Sequence, residues 1–380
     1  MTKTALITLG RLPKAYEIAR AMSLAGWRVV IAEPWAWHLC RVSRHVSKSI
    51  KVHSPVTNLA KFHDDLLTVI RQERVSLVIP VSEEVFHVAS LIPRLPDGVR
   101  WFGSGAEELL PLHDKLDFQR QVSAAQLVGP RTFAADSPEA AEFAAQRSVV
   151  MKPRCGSAGN GVTIFNEGLP PGVTKASQII QAYLPGEEFS TFSVAWKGRV
   201  IGTIQYRGRI LSGTVAVNFE RLEQPDPAVD QWINAFVAFR GHSGFISFDF
   251  RRDESGVALP MECNPRATSG IHFVDSSNLA MAITDPEQAT QLNHHSERCL
   301  QQFYPALTET QGSVFRGGAW RKNLKLLFSC RDVTWHRDDP WTFPLLPFSS
   351  WEILRRTIFR KQSFGEATTE DIGFYTNPSH

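Results

Sequence analysis

The chain has 380 residues, enough for more than one hydrophobic core. Its 41 basic and 38 acidic residues leave a net charge of +3 with no long basic block, which argues against nucleic-acid binding and suits a small acidic ligand. Five scattered cysteines, Cys40, Cys155, Cys263, Cys299 and Cys330, include no CxxC pair; they argue against a disulfide framework or zinc site and for a reducing, cytoplasmic setting.

Residues 4 to 9 run apolar like a buried strand, Gly10 ends the run, and residues 13 to 25 carry a helical apolar spacing that stops at Gly26. The N-terminus therefore reads as the start of a fold and not as a signal peptide. A strand at 27–32, a helix at 59–73, a strand at 75–81, a helix at 83–91 and a short strand at 100–103 follow. Alternating strands and helices predict a parallel sheet whose ligands lie beyond the strands' carboxyl ends, near Gly10–Arg11, Glu33 and Ser82–Glu84. The loop Gly10-Arg-Leu-Pro-Lys-Ala15 lacks the GxGxxG spacing, so no dinucleotide cofactor is expected.

The middle of the chain holds the chemistry. Lys115 opens a helix in Leu112-His-Asp-Lys-Leu-Asp-Phe118. Residues 149 to 165 read as strand, glycine loop, strand: Lys152 closes the first strand, and Gly156-Ser157-Ala-Gly159-Asn-Gly161 lets backbone N–H groups approach phosphate oxygens. The spacing is not that of a Walker loop. The run Gln181-Ala-Tyr183-Leu184-Pro-Gly-Glu-Glu188 ends a strand in a Pro-Gly turn beside two acids.

Two strand-like runs flank Ser255-Gly256, and a turn centred between those residues places Asp249 directly opposite Glu262. Alternation puts Glu262, Asn264 and Arg266 on one face and turns Ile246, Phe248 and Phe250 away from Asp249. Like charges opposed across a sheet repel, so a cation belongs between them; Mg²⁺, which takes one or two carboxylates and completes its shell with water and phosphate oxygens, fits best. Residues 300 to 380 are rich in aromatics and arginine, and they suggest a homodimer face, a carrier-protein contact, a cap over a hydrophobic substrate or a small appended core. No stretch approaches the roughly 20 apolar residues of a membrane span.

Taken in order, Lys115, Lys152 with its glycine loop, QAYLPGEE, and FDF followed by ECNPR resemble the nucleotide-binding elements of the ATP-grasp superfamily. The arrangement looks most like the carbamoyl-phosphate synthetase and biotin carboxylase branch and the L-amino acid ligases. The resemblance implies α/β and α+β architecture: an N-terminal parallel α/β domain over 1–110, a two-lobed ATP-grasp domain over 111–285 (small lobe to residue 185, large lobe from 186), and a C-terminal extension over 300–380. It further implies that Lys115, Lys152 and the loop Gly156, Ser157, Gly159, Gly161 hold the phosphates of ATP. Gln181, Tyr183 and Leu184 would face adenine, and Glu188 the ribose. Asp249, Glu262 and Asn264 would hold Mg²⁺, with Mn²⁺ as a substitute, and Arg266 with Lys152 would stabilise the transferring phosphoryl group. Asp249 stands where many relatives have glutamate, and Cys155 inside the loop has no assigned role. His272 is read as either an acid/base or a structural histidine.

The activity implied is a carboxylate–amine or carboxylate–thiol ligase that joins a small-molecule acid to a nucleophilic acceptor through an acyl phosphate. A carboxyphosphate-forming carboxylase is the second reading, although no biotinyl-lysine segment such as AMKM occurs. A non-catalytic ATP-binding protein is the third, disfavoured because Asp249, Glu262, Asn264 and Arg266 are all present.

Overall fold

The computed structural model describes residues 2–374 apart from 157–160, 167, 170, 171, 173, 214, 316–319 and 360–363. The first sheet carries β1 (Thr4–Ile7), β2 (Arg28–Glu33), β3 (Lys48–Lys51), β4 (Val75–Ile79) and β5 (Arg100–Trp101), all parallel, in the order β3-β2-β1-β4-β5. Helices α1 (Pro13–Leu24), α2 (Leu59–Gln72) and α3 (Glu84–Ala89) connect them. The expected parallel sheet is present, with one strand more than the sequence reading gave. That strand, β3, reads Lys-Ser-Ile-Lys on an edge with both lysines exposed, so it lacks the apolar alternation that betrays a buried strand. Pro13 sits in the first turn of α1, where its missing N–H costs nothing.

Helices α4 (Ala106–His113) and α5 (Lys115–Ala124) lead into a four-stranded antiparallel sheet with α6 (Pro138–Ala144) beside it. This sheet contains β6 (Thr132–Ala134), β7 (Val149–Pro153), β8 (Thr163–Phe165) and β9 (Gln178–Ala182), ordered β6-β9-β7-β8. A larger sheet follows, with β10 (Glu188–Trp196), β11 (Arg199–Ser212), β12 (Val215–Arg221), β13 (Gly244–Arg252) and β14 (Ala258–Asn264). Phe248 and Phe250 on β13 are fully buried against Ile233, Phe236 and Val237 of α7 (Pro227–Arg240), while Asp249 between them takes the other face. Strict alternation thus separates a phenylalanine-rich core from a polar cleft wall.

After α8 (Ser276–Thr284), β15 (Cys299–Gln301) and β16 (Arg331–Asp332) extend this large sheet, giving the order β14-β13-β10-β11-β12-β15-β16. Helices α9 (Phe303–Phe315) and α10 (Trp320–Ser329) lie between β15 and β16, and α11 (Leu346–Ser349), α12 (Trp351–Phe359) and α13 (Phe364–Thr369) follow. Cys299 and Cys330 form a disulfide, which corrects the expectation drawn from scattered cysteines. The parallel pairing of β15 with β16 brings together two thiols that lie 31 residues apart, and the argument for a reducing compartment loses its premise. No helix among the described residues is long and apolar enough to cross a membrane.

Candidate active site

The hairpin of β13 and β14 turns through Ser255 and Gly256, with Gly256 at φ 87°. Next to the turn, the strands pair one residue away from the anticipated register: Arg252 faces Ala258 and Arg251 faces Leu259. A bulge between Asp249 and Phe250 absorbs the difference, so Asp249 does stand opposite Glu262, Phe248 opposite Cys263 and Ser247 opposite Asn264.

Around this pair the side chains form one connected polar network. Ser190 Oγ donates to Asp249 at 2.5 Å, and Asn264 Nδ2 donates to Asp249 at 3.0 Å and to Glu262 at 3.4 Å. Lys115 Nζ lies 3.2 Å from Glu262 and donates to the Gly156 carbonyl at 2.9 Å. Its position is set by the cap of α5, where the Asp114 carboxylate accepts from the N–H groups of Leu116 and Asp117. Lys152, at the end of β7, donates to the Met261 carbonyl at 3.3 Å. Arg266 reaches Asn264 Oδ1 at 3.0 Å and Glu83 at 2.8 Å.

Burial and the opposed charge of Glu262 push the Asp249 carboxyl up to about 8. Burial acts on Glu262 in the same sense, but Lys115 and Lys152 outweigh it and hold that carboxyl below the usual carboxylate range. The pair therefore keeps one proton near neutrality, on the Asp249 side. Burial, with help from Lys115, lowers the Lys152 ammonium to about 8.

These groups line a cleft of about 740 Å³ that also takes in Leu12, Pro13, Lys14, Ser82 and Glu83 from the first sheet's carboxyl edge. Gly156, Gln181, Leu184 and Glu188 line it as well. Gln181 spends its amide on Thr132 at 2.9 Å, and Glu188 pairs with Arg251 at 3.3 Å. Tyr183 and Gly161 are not among the lining residues, while Ser157 and Gly159 lie outside the described residues.

The expectation that Glu33 and Arg11 face a ligand is corrected. Both are buried and bonded to each other, and Arg11 also pairs with Asp371 at 2.5 Å. Glu84 is consumed too, accepting from Thr8 Oγ1 and the N–H groups of Val81 and Ser82. His272 turns Nδ1 to Glu17 at 3.1 Å and stacks on Phe219, an arrangement that supports the structural alternative. The Cys155 thiol points toward Asp114 at 3.8 Å.

Two parts of the cleft escaped the sequence reading. Lys14 Nζ donates to Ser82 Oγ at 3.0 Å and to the Ala267 carbonyl at 2.7 Å, and burial with nearby Arg266 lowers it to about 7. Its loop, GRLPKA, points by sequence to Gly10 and Arg11 as the ligand-facing residues and gives no sign of Lys14. Gly365, Thr368 and Thr369 form another wall, held through Asp371 to Arg11 and Trp35 and through Gly373 and Phe374 to His87 and His113. No local sequence signal marks that return of the C-terminal segment.

The family model for the ATP-grasp domain matches residues 112–269. That stretch is an ATP-grasp domain. It spans α5, the four-stranded sheet and the carboxylate hairpin, the elements that carry Lys115, Lys152, Asp249 and Glu262. No curated protein matches the sequence. Among solved structures, the ATP-grasp fold aligns with N5-carboxyaminoimidazole synthetase from Staphylococcus aureus at TM-score 0.61 and 14% identity, covering 77% of this chain and 80% of that one. The biotin carboxylase domain of Hydrogenobacter thermophilus 2-oxoglutarate carboxylase, solved with MgADP, ADP and bicarbonate, aligns at 0.59 and 16%, covering 74% and 69%. An L-amino acid ligase from Bacillus licheniformis aligns at 0.58 and 14%, covering 77% and 75%. Each of these likenesses is one of fold.

The opposed acids predict a pH effect. A carboxyl whose folded pKa is raised binds a proton that the unfolded chain has lost, so its contribution falls as pH rises from about 4 to about 8. Asp249→Asn removes that penalty and is expected to stabilise the metal-free protein by a few kcal/mol at pH 8, on the order of 1.4 kcal/mol per pKa unit, with a smaller gain at pH 5. Urea titrations at the two pH values check it; an equal or negative change at both would contradict the assignment.

Proposed function

We propose that the protein is an ATP- and magnesium-dependent ligase that activates a carboxylate as an acyl phosphate and passes the acyl group to an amine or other nucleophile. The observation that carries this reading is the facing of Asp249 and Glu262 across one hairpin, with Lys115, Lys152, Asn264 and Arg266 around them in a single cleft. The donor set fits Mg²⁺: two carboxylates that share a proton when no cation compensates them, a neighbouring amide oxygen, and an open side toward the cleft. Bound there, magnesium would neutralise phosphate charge.

The chain's own residues have separate tasks in this proposal. Lys115 and Lys152 bind phosphate oxygens of ATP as compact cations, with the loop that begins at Gly156 beside them. The strand end from Gln181 to Leu184 borders adenine, and Glu188 takes the ribose. Arg266, held by Glu83 and Asn264, orients the terminal phosphoryl group and the acid that attacks it. Lys14 and the wall of Gly365, Thr368 and Thr369 border the acid and acceptor.

Carboxylation of an amine through carboxyphosphate is the second reading. A phosphate-release screen over carboxylic acids and amines, with and without bicarbonate, separates the two. Acid-dependent release of ADP and phosphate without bicarbonate is expected; strict bicarbonate dependence would favour the second reading, and AMP with pyrophosphate would overturn both.

A further inference from the structure

Helix α10 presents an apolar ridge to solvent that the proposed ligase chemistry does not use. Trp320, Leu324 and Phe328 recur every fourth residue and are 37%, 39% and 78% exposed. That spacing sets them along one side of the helix. The adjoining side is turned inward: Leu327 is buried with Ile210, Val217 and Ala306, Leu326 packs on the same cluster, and the Cys299–Cys330 disulfide ties the following residue to β15. The ridge therefore faces out because the adjoining side is held by the sheet.

Arg321 and Lys325 border the ridge on one side and Lys322 lies further round the helix; all three are exposed, and no ion pair engages them among the described residues. Residues 310–331 contain five basic residues and no acidic one, in a chain whose total is only +3. A convex ridge of tryptophan, leucine and phenylalanine beside basic side chains suits a ligand that is apolar and anionic at once. Long basic stems can lie along the apolar layer while their heads reach phosphate. A second copy docked about a two-fold axis through this face would set the same cations against one another.

We propose that the exposed face of α10 docks the protein on a bilayer surface that carries anionic lipids. The test is co-sedimentation of the full chain with vesicles of phosphatidylglycerol and phosphatidylcholine, against phosphatidylcholine alone, at moderate salt. The chain is expected to pellet with the anionic vesicles. Leu324→Ser with Phe328→Ser should weaken partition about tenfold or more. Arg321→Gln with Lys325→Gln should weaken it roughly 25-fold on anionic vesicles only, from about fivefold per basic residue. All four positions are exposed, so circular dichroism and the melting temperature should match the parent. Failure of the parent to pellet with anionic vesicles overturns the proposal, as does full retention by the Leu324/Phe328 variant. A parent that elutes as a dimer and becomes a monomer only in that variant also overturns it, by assigning the ridge to a second copy. None of these outcomes bears on the ligase reading.

Discussion

Glu262→Gln is expected to lower turnover by roughly 10²–10³-fold or more while leaving the fold intact. The separation of the two effects follows from the charges around the pair. Glu262 is the counter-ion of Lys115 and Lys152, and its negative charge adds to burial in keeping a proton on Asp249. Once Glu262 is neutral, Asp249 ionises at a lower pH and becomes the counter-ion, so the lysines are not left alone in a low-dielectric site. Stability should stay within about 1 kcal/mol of the parent. The proposed cation site, however, loses one of its two carboxylates, and the gain in melting temperature given by ADP with Mg²⁺ over ADP alone should largely vanish. Glu254→Gln, at the exposed tip of the same hairpin, serves as the control and should behave as the parent. Near-parental turnover and a full magnesium-dependent gain in the Glu262 variant would remove the metal assignment.

Glu33→Ala is expected to cost stability and not chemistry directly, by about 3–5 kcal/mol. Glu33 is fully buried, and its carboxylate accepts from the N–H groups of Gly10, Arg11 and Trp35 as well as from the Arg11 guanidinium. Arg11, stacked 3.6 Å from the Trp35 ring, is equally shielded from water. Truncating the acid leaves a buried guanidinium with Asp371 as its remaining partner and three backbone donors unmatched. Because Asp371 belongs to the segment that closes one side of the cleft, a change at the first sheet's edge also loosens that wall. Denaturant unfolding followed by tryptophan fluorescence gives the number. A loss below about 1 kcal/mol would show that the network contributes far less than its burial implies.

How far the sequence reveals this molecule depends on the range over which each feature is determined. The strands 4–7 and 28–33, and the register that sets Asp249 against Glu262, follow from alternation and one turn, which are local. Even there, the local rule reached the right pair by a different path, since the structure shifts register at the turn and restores it with a bulge. Strand β3 was missed because an edge strand with two exposed lysines carries no apolar pattern. The Cys299–Cys330 bond depends on a parallel pairing between β15 and β16, separated by two helices. Glu33 and Arg11 sit at the strand ends where ligands commonly bind, and only the return of Asp371 from the far end of the chain converts them into an internal ion network. Lys14 was legible as a helix-start lysine but gave no sign that Ser82 and Ala267 would hold it at the cleft.

Isotope transfer tests the ligase proposal most directly. A carboxylate is a poor electrophile, and in the proposed mechanism the lysines, paired carboxylates and Arg266 would act on the terminal phosphoryl group of ATP. With substrate acid labelled with ¹⁸O in its carboxylate, one labelled oxygen is predicted to leave in the phosphate released on acyl transfer, alongside ADP. Phosphate free of label, or label recovered in AMP, would contradict the acyl-phosphate mechanism.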